Sequence, residues 1–142
     1  MADKKKSKNT EKNKKKAKPI KQEIAFCSVL YMLPEAVTAK QMAETLDFLP
    51  KEAVEVWTEV NLLEIMLENG TLTFEDMMEQ MGNPEDVQLL EKLQVRQVYA
   101  CDYAASDKAK VRRIMEILIE KLGGFLASDT EDFEPFIKPE EL

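Results

Sequence analysis

Apolar residues in this chain recur mostly at intervals of three and four, the spacing of a helix that buries one stripe. The stretch from Asn83 to Gly124 shows it best. Asn83-Pro84-Glu85-Asp86 opens it with an N-cap, a first-turn proline and an acid at N3. Gly123-Gly124 closes it, and no Gly or Pro lies between. A break at Ala105-Ser106-Asp107, where Ser106 is a fair N-cap, divides the stretch into two helices. The first, Pro84 to about Ala104, is apolar on two sides. Leu89, Leu90, Leu93, Ala100 and Ala104 make one side, and Val87, Val95 and Val98 the other. A helix apolar on two faces is packed on two sides, which makes this one central. The second, about Asp107 to Leu122, carries a single stripe through Val111, Ile114, Met115 and Leu118.

The preceding chain reads the same way. Ile20 to Leu33 predicts a helix that buries Ile24, Cys27, Val29, Leu30 and Leu33, with Pro34 as its stop. Val37-Thr38-Ala39-Lys40-Gln41-Met42 then resembles Leu72-Thr73-Phe74-Glu75-Asp76-Met77. In both, a staple residue precedes a Thr N-cap, with Gln or Asp at N3 and Met at N4. Each copy predicts a short helix, a tight turn, a proline and a longer helix. The longer helix of the first copy runs about Lys51 to Glu68. Ala53, Val56, Trp57, Val60, Leu63 and Leu67 share one of its faces, which places Trp57 in the core. The second short helix runs from Thr73 to Met81. No run alternates long enough to predict a strand. The expected fold class is all-α: a compact bundle of five or six helices with a duplicated short-helix/long-helix hairpin.

The ends differ from the body. Residues 1–19 are Lys, Asn, Ser, Thr and Ala with almost nothing apolar, so they predict a disordered Lys-rich arm. The helical domain is expected over 20–124. In the tail, 125–142, acids alternate with Phe125, Phe133 and Phe136. Two readings are open there. The aromatics fold back on the body, or Phe133 and Phe136 form a short partner motif.

Charge sharpens this division. Residues 1–21 hold ten Lys against two acids, a net +8, which leaves 10 basic and 25 acidic residues, a net −15, over 22–142. The overall −7 therefore conceals a basic arm on an acidic body. With no histidine, His-based acid/base catalysis, Ser-His and Cys-His nucleophile pairs and His-containing metal sites are excluded. Cys27 and Cys101 lack CxxC spacing and sit among apolar residues, as reduced cysteines of a cytoplasmic protein do. No apolar run reaches the ~18 residues of a membrane span. Gln22-Glu23 and the length of the basic stretch argue against a signal peptide before the short apolar run Ile24–Leu33.

Few patterns point to chemistry. The first hairpin can be read as a helix-turn-helix unit, with Ala43 at the close crossing. Its would-be recognition helix carries Glu52, Glu55 and Glu59 against Lys51, and would repel phosphate. Lys108, Lys110, Arg112 and Arg113 cluster in the first turns of the last helix. They are candidates for an anion or partner contact, or for answering acidic faces elsewhere. The carboxylates have no EF-hand spacing, and the four glycines form no phosphate-binding loop. The eight methionines suit core positions or a groove for a partner helix. The expectation is a non-catalytic macromolecule-binding protein, an adaptor, regulator or assembly factor, without cofactor or metal and with a protein as partner. The alternative is a nucleic-acid-associated protein that uses the arm and the helix-turn-helix-like unit.

Overall fold

A computed structural model describes residues 25–142. The Lys-rich arm expected over 1–19 lies outside them. Strands, not helices, organise the described chain. In chain order the elements are β1 (Phe26–Leu33), α1 (Ala39–Thr45), β2 (Val54–Trp57), β3 (Leu62–Met66), β4 (Thr71–Asp76), α2 (Pro84–Leu93), β5 (Gln97–Ala104), α3 (Lys108–Leu122), β6 (Phe125–Ala127) and β7 (Phe136–Ile137). The strands form one seven-stranded sheet in the order β2-β3-β4-β5-β1-β6-β7. Every pairing is antiparallel.

The all-α expectation is thereby overturned, and the reason lies in where the strands sit. β1 and β5 pair along their whole length, from Phe26 opposite Ala104 to Leu33 opposite Gln97. Over much of that length both are buried on both faces, so their sequences are nearly continuous apolar runs. Burial on two sides erases the period of two, and short apolar runs then fit a helix equally well. The single central helix expected from Pro84 to Ala104 does not form: α2 ends at Leu93, Gln94 turns the chain in a left-handed conformation, and Val98, Ala100 and Ala104 belong to β5. In the span predicted as one helix, Lys51–Glu68, Val54/Val56 and Leu63/Ile65 alternate within strands of four and five residues. Trp57 is 44 % exposed there, not in the core.

The repeat also fails. Thr38 does cap α1, and a full capping box is present, with Gln41 N–H donating to the Thr38 side chain and Thr38 N–H to the Gln41 side chain. Thr73, its supposed counterpart, is a strand residue between Glu64 and Asp102. After α1 the chain enters a 3-10 turn and then β2. No recognition helix stands there, and the helix-turn-helix reading is withdrawn.

Two cores flank the sheet. On one face α1 and α3 cover Tyr31, Leu63, Ile65, Phe74, Tyr99 and Cys101. On the other, α2 and the segment carrying Phe133 cover Leu30, Met32, Val98 and Ala127, all on β5, β1 and β6. The C-terminal segment folds back: it supplies β6, beside β1, and the edge strand β7. Its entry needs glycine at Gly124, where φ is +91° and a Cβ would lie 2.3 Å from the Met32 carbonyl oxygen.

Polar groups tie the connections to the sheet. The Asn61 side-chain oxygen accepts from the Ala39 N–H at 2.7 Å, while its amide donates to Asp76 and to the Tyr99 hydroxyl, each at 2.8 Å. The buried Asp107 carboxylate accepts from the backbone and the side chain of Asn69. Tyr31 and Tyr99 donate to the carbonyls of Gly123 and Val37.

Candidate protein-binding face

The second core covers only half of its sheet face. Among the described residues, this core takes in side chains of β5, β1, β6, α2 and the Met77–Met81 segment, and none of β2, β3 or β4. Strand alternation decides which residues stand there. Leu63, Ile65, Leu72 and Phe74 point to the first core, so Leu62, Glu64, Met66, Thr71, Thr73 and Glu75 point outward.

Register aligns these side chains in rows. Glu55 is opposite Glu64, Glu64 opposite Thr73, Thr73 opposite Asp102, and Asp102 opposite Ser28. One polar row thus crosses five strands, about 19 Å at the usual interstrand spacing. It holds three carboxylates and no cation. Glu75 adds a fourth in the next row, where it faces Leu62, which in turn faces Trp57.

Two local bonds hold the row in place. The Ser28 hydroxyl donates to the Asp102 carboxylate. The Trp57 indole N–H donates to Glu64 at 3.2 Å. The indole is thereby held at the edge of the row while its ring stays partly open. Met66 is 64 % exposed and Phe26 is 70 % exposed on the same face. Large apolar side chains therefore border a strip of carboxylates.

No family model matches the chain, and no curated protein or solved structure matches it.

The residues singled out from the sequence lie elsewhere. Lys108, Lys110, Arg112 and Arg113 do fall in the first turns of α3, but they do not converge. The Arg112 Nε–H donates to the Pro139 carbonyl at 3.2 Å and ties down the C-terminus. Arg113 is 3.7 Å from Glu116 on its own helix. Lys110 and Arg113 border a shallow cleft with Phe48, Leu49, Pro50 and Ile114. Phe133 is buried in the second core, while Phe136 packs edge-on against Phe125 at a centroid distance of 5.1 Å and stays partly exposed. The methionines divide too. Met32, Met42 and Met115 are buried, and Met66 is on the open face.

Burial pushes the Cys101 thiol and the Tyr31, Tyr99 and Tyr103 hydroxyls up, Tyr103 to about 12. A thiol held protonated this way is a poor nucleophile. Among the described residues, no group of three Cys, Asp or Glu could hold a metal ion, and no helix is long and apolar enough to cross a membrane.

The open face escapes a sequence reading because its residues come from five strands. The usable signal is alternation. Leu62-Leu63-Glu64-Ile65-Met66 and Thr71-Leu72-Thr73-Phe74-Glu75 interleave buried and polar positions, yet both overlap spans whose spacing predicts helices.

Proposed function

We propose that this protein binds another macromolecule without catalysis, as an adaptor, regulator or assembly factor, and that the open sheet face takes a cationic stretch of a partner protein. The row of Glu55, Glu64 and Asp102, bordered by Trp57, Met66 and Phe26, is the observation that carries this reading. Lysine or arginine side chains fit it doubly. Their charged heads meet carboxylates while their methylene stems cover the exposed Trp57, Met66 and Phe26. A phosphate backbone would be repelled by the same row, which favours a protein ligand over nucleic acid. Two free cysteines, one of them buried and inert, fit a cytoplasmic setting.

The test is calorimetric titration with a short synthetic peptide that alternates Lys with Leu. Binding is expected at low salt, to weaken as salt screens the row, and to fall about tenfold in Glu64→Lys, a loss of about 1.4 kcal/mol. Equal binding by the variant and the parent would remove the face from the account.

A further inference from the structure

Two of the cations on α3 line an apolar cleft on the helix-covered side of the sheet, away from the open face. We propose that this cleft, between residues 48–50 and the first turns of α3, is a second docking site. It takes a segment of a partner protein in which large apolar side chains are flanked by carboxylates. The site is independent of the open face, which takes the opposite charge.

Three observations carry this. The first is the wall of the cleft. α1 is capped by Leu46, which is buried, and Leu49 packs against the first core. Phe48, between them, is 53 % exposed. An aromatic left open beside a cleft marks a contact surface. The wall is also held in place without a partner. The Leu49 N–H donates to the Leu46 carbonyl at 3.1 Å, and the Ala53 N–H to the Pro50 carbonyl at 3.0 Å. A wall fixed this way loses little freedom on binding.

The second is the cavity. It measures about 460 Å³ and is lined by Phe48, Leu49, Pro50 and the buried Ile114. Leu49 also lines an adjoining cleft of about 430 Å³ with Leu46 and Val54. Two apolar side chains of one segment can therefore be seated side by side.

The third is charge. Among the described residues, Lys110 and Arg113 line the first cleft and no acid does. Residues 22–142 hold 25 acids against 10 cations, so a cleft with this balance stands out. Lys110 and Arg113 are three apart on α3 and are neighbours on its surface. Both lie near the positive end of the macrodipole, where acids are favoured, and the first turn of α3 has none. A partner's carboxylate brought there meets two cations and the dipole together. Arg113 is 3.7 Å from Glu116 and 71 % exposed, a surface pair weak enough to yield. The adjoining cleft adds Lys40 and Lys51 beside Glu44 and Asp47. An anionic membrane fits less well, because the acidic remainder of the fold repels it and a recess is filled by a side chain.

Amide chemical shifts of the full chain, followed during titration with a short peptide that alternates Glu with Leu, test this. Shifts are expected over residues 48–50 and 109–114, and an all-Glu peptide of equal length should leave those amides unmoved. Both peptides also meet the lysines of residues 1–21, so shifts confined to that stretch would overturn the proposal. Equal shifts at the cleft from the two peptides would overturn it too. Phe48→Ala removes an exposed side chain, and affinity read at the cleft amides should fall about tenfold while the melting curve holds. Lys110→Glu should lower it about tenfold at low salt, and the loss should shrink as salt is added. Unchanged affinity in either variant would contradict the site. Vesicles of phosphatidylserine and phosphatidylcholine provide the remaining arm. Vesicle binding that Phe48→Ala abolishes, with no peptide shift at the cleft, would replace the protein partner by a membrane. Glu64→Lys, on the open face, should leave affinity at the cleft amides as it is, so the two sites fail separately.

Discussion

Glu55 and Glu64 stand directly opposite each other across β2 and β3, on the uncovered side of the sheet. Like charges paired this way destabilise a sheet. The cost is local, and under the proposed function a bound cationic chain would offset it. Glu55→Lys should therefore raise stability by about 0.5–1 kcal/mol in urea denaturation at low salt. The gain should shrink as salt is added. A variant less stable than the parent would mean that the row is not under electrostatic strain.

Asn61 holds the connection between β2 and β3 to α1. It sits in the left-handed region, at φ 51°, ψ 55°, and its side chain bonds Ala39, Asp76 and Tyr99. Asn61→Ala should cost about 3 kcal/mol, from the left-handed alanine and the orphaned Ala39 N–H together. Equilibrium denaturation gives the figure, and a loss under about 1 kcal/mol would contradict the role assigned to this hub.

Alkali should unfold the protein in a set order. Desolvation raises the Cys101 thiol above its ordinary 9.0 and the Tyr103 hydroxyl from 10.0 to about 12. Both groups stay protonated in the fold after the unfolded chain has released its protons. Their stabilising effect is complete below the unfolded values and is lost as pH rises through the folded ones. Melting temperature should hold up to pH 9 and fall steadily between pH 10 and 12, and Tyr103→Phe should make that fall shallower. An unchanged slope in the variant would assign the alkaline loss to other groups.

The two aromatics of the C-terminal segment should separate sharply. Phe133, 3 % exposed, fills the second core, so Phe133→Ala should cost about 3–5 kcal/mol. Phe136 is half open beside Phe125, and its change to Ala should cost about 1 kcal/mol. Denaturation midpoints compare them, and equal costs would mean that the segment is not anchored at Phe133.

The legible part of the fold has a physical boundary. Caps are local, so Thr38 with Gln41, and Asn83 with Pro84, mark the starts of α1 and α2 correctly. The single stripe of Val111, Ile114, Met115 and Leu118 places α3 within a residue of its start, because a helix with one buried face keeps a clean period. The sheet is hidden by its own burial. β1 and β5 have apolar residues on both sides, and their eight-residue length passes for two helical turns. Thr73 carries a cap-like pattern that pairing with Glu64 and Asp102 overrides. The candidate face could not be assembled from the sequence at all. Glu55, Glu64 and Asp102 become neighbours only through register, across 47 residues of chain from first to last. The basic cluster of α3 is visible for the opposite reason, being contiguous, and its Arg112 is tied to the Pro139 carbonyl.

The most direct test is to map where a cationic chain binds. Amide chemical-shift changes would be recorded on the full chain during titration with the Lys-Leu peptide. The account predicts shifts confined to β2, β3 and β4 and to the Phe26–Ser28 and Asp102–Ala104 ends, together with movement of the Trp57 indole N–H that now bonds Glu64. Shifts gathered instead on the cleft between Phe48 and Arg113, or none at all, would contradict it.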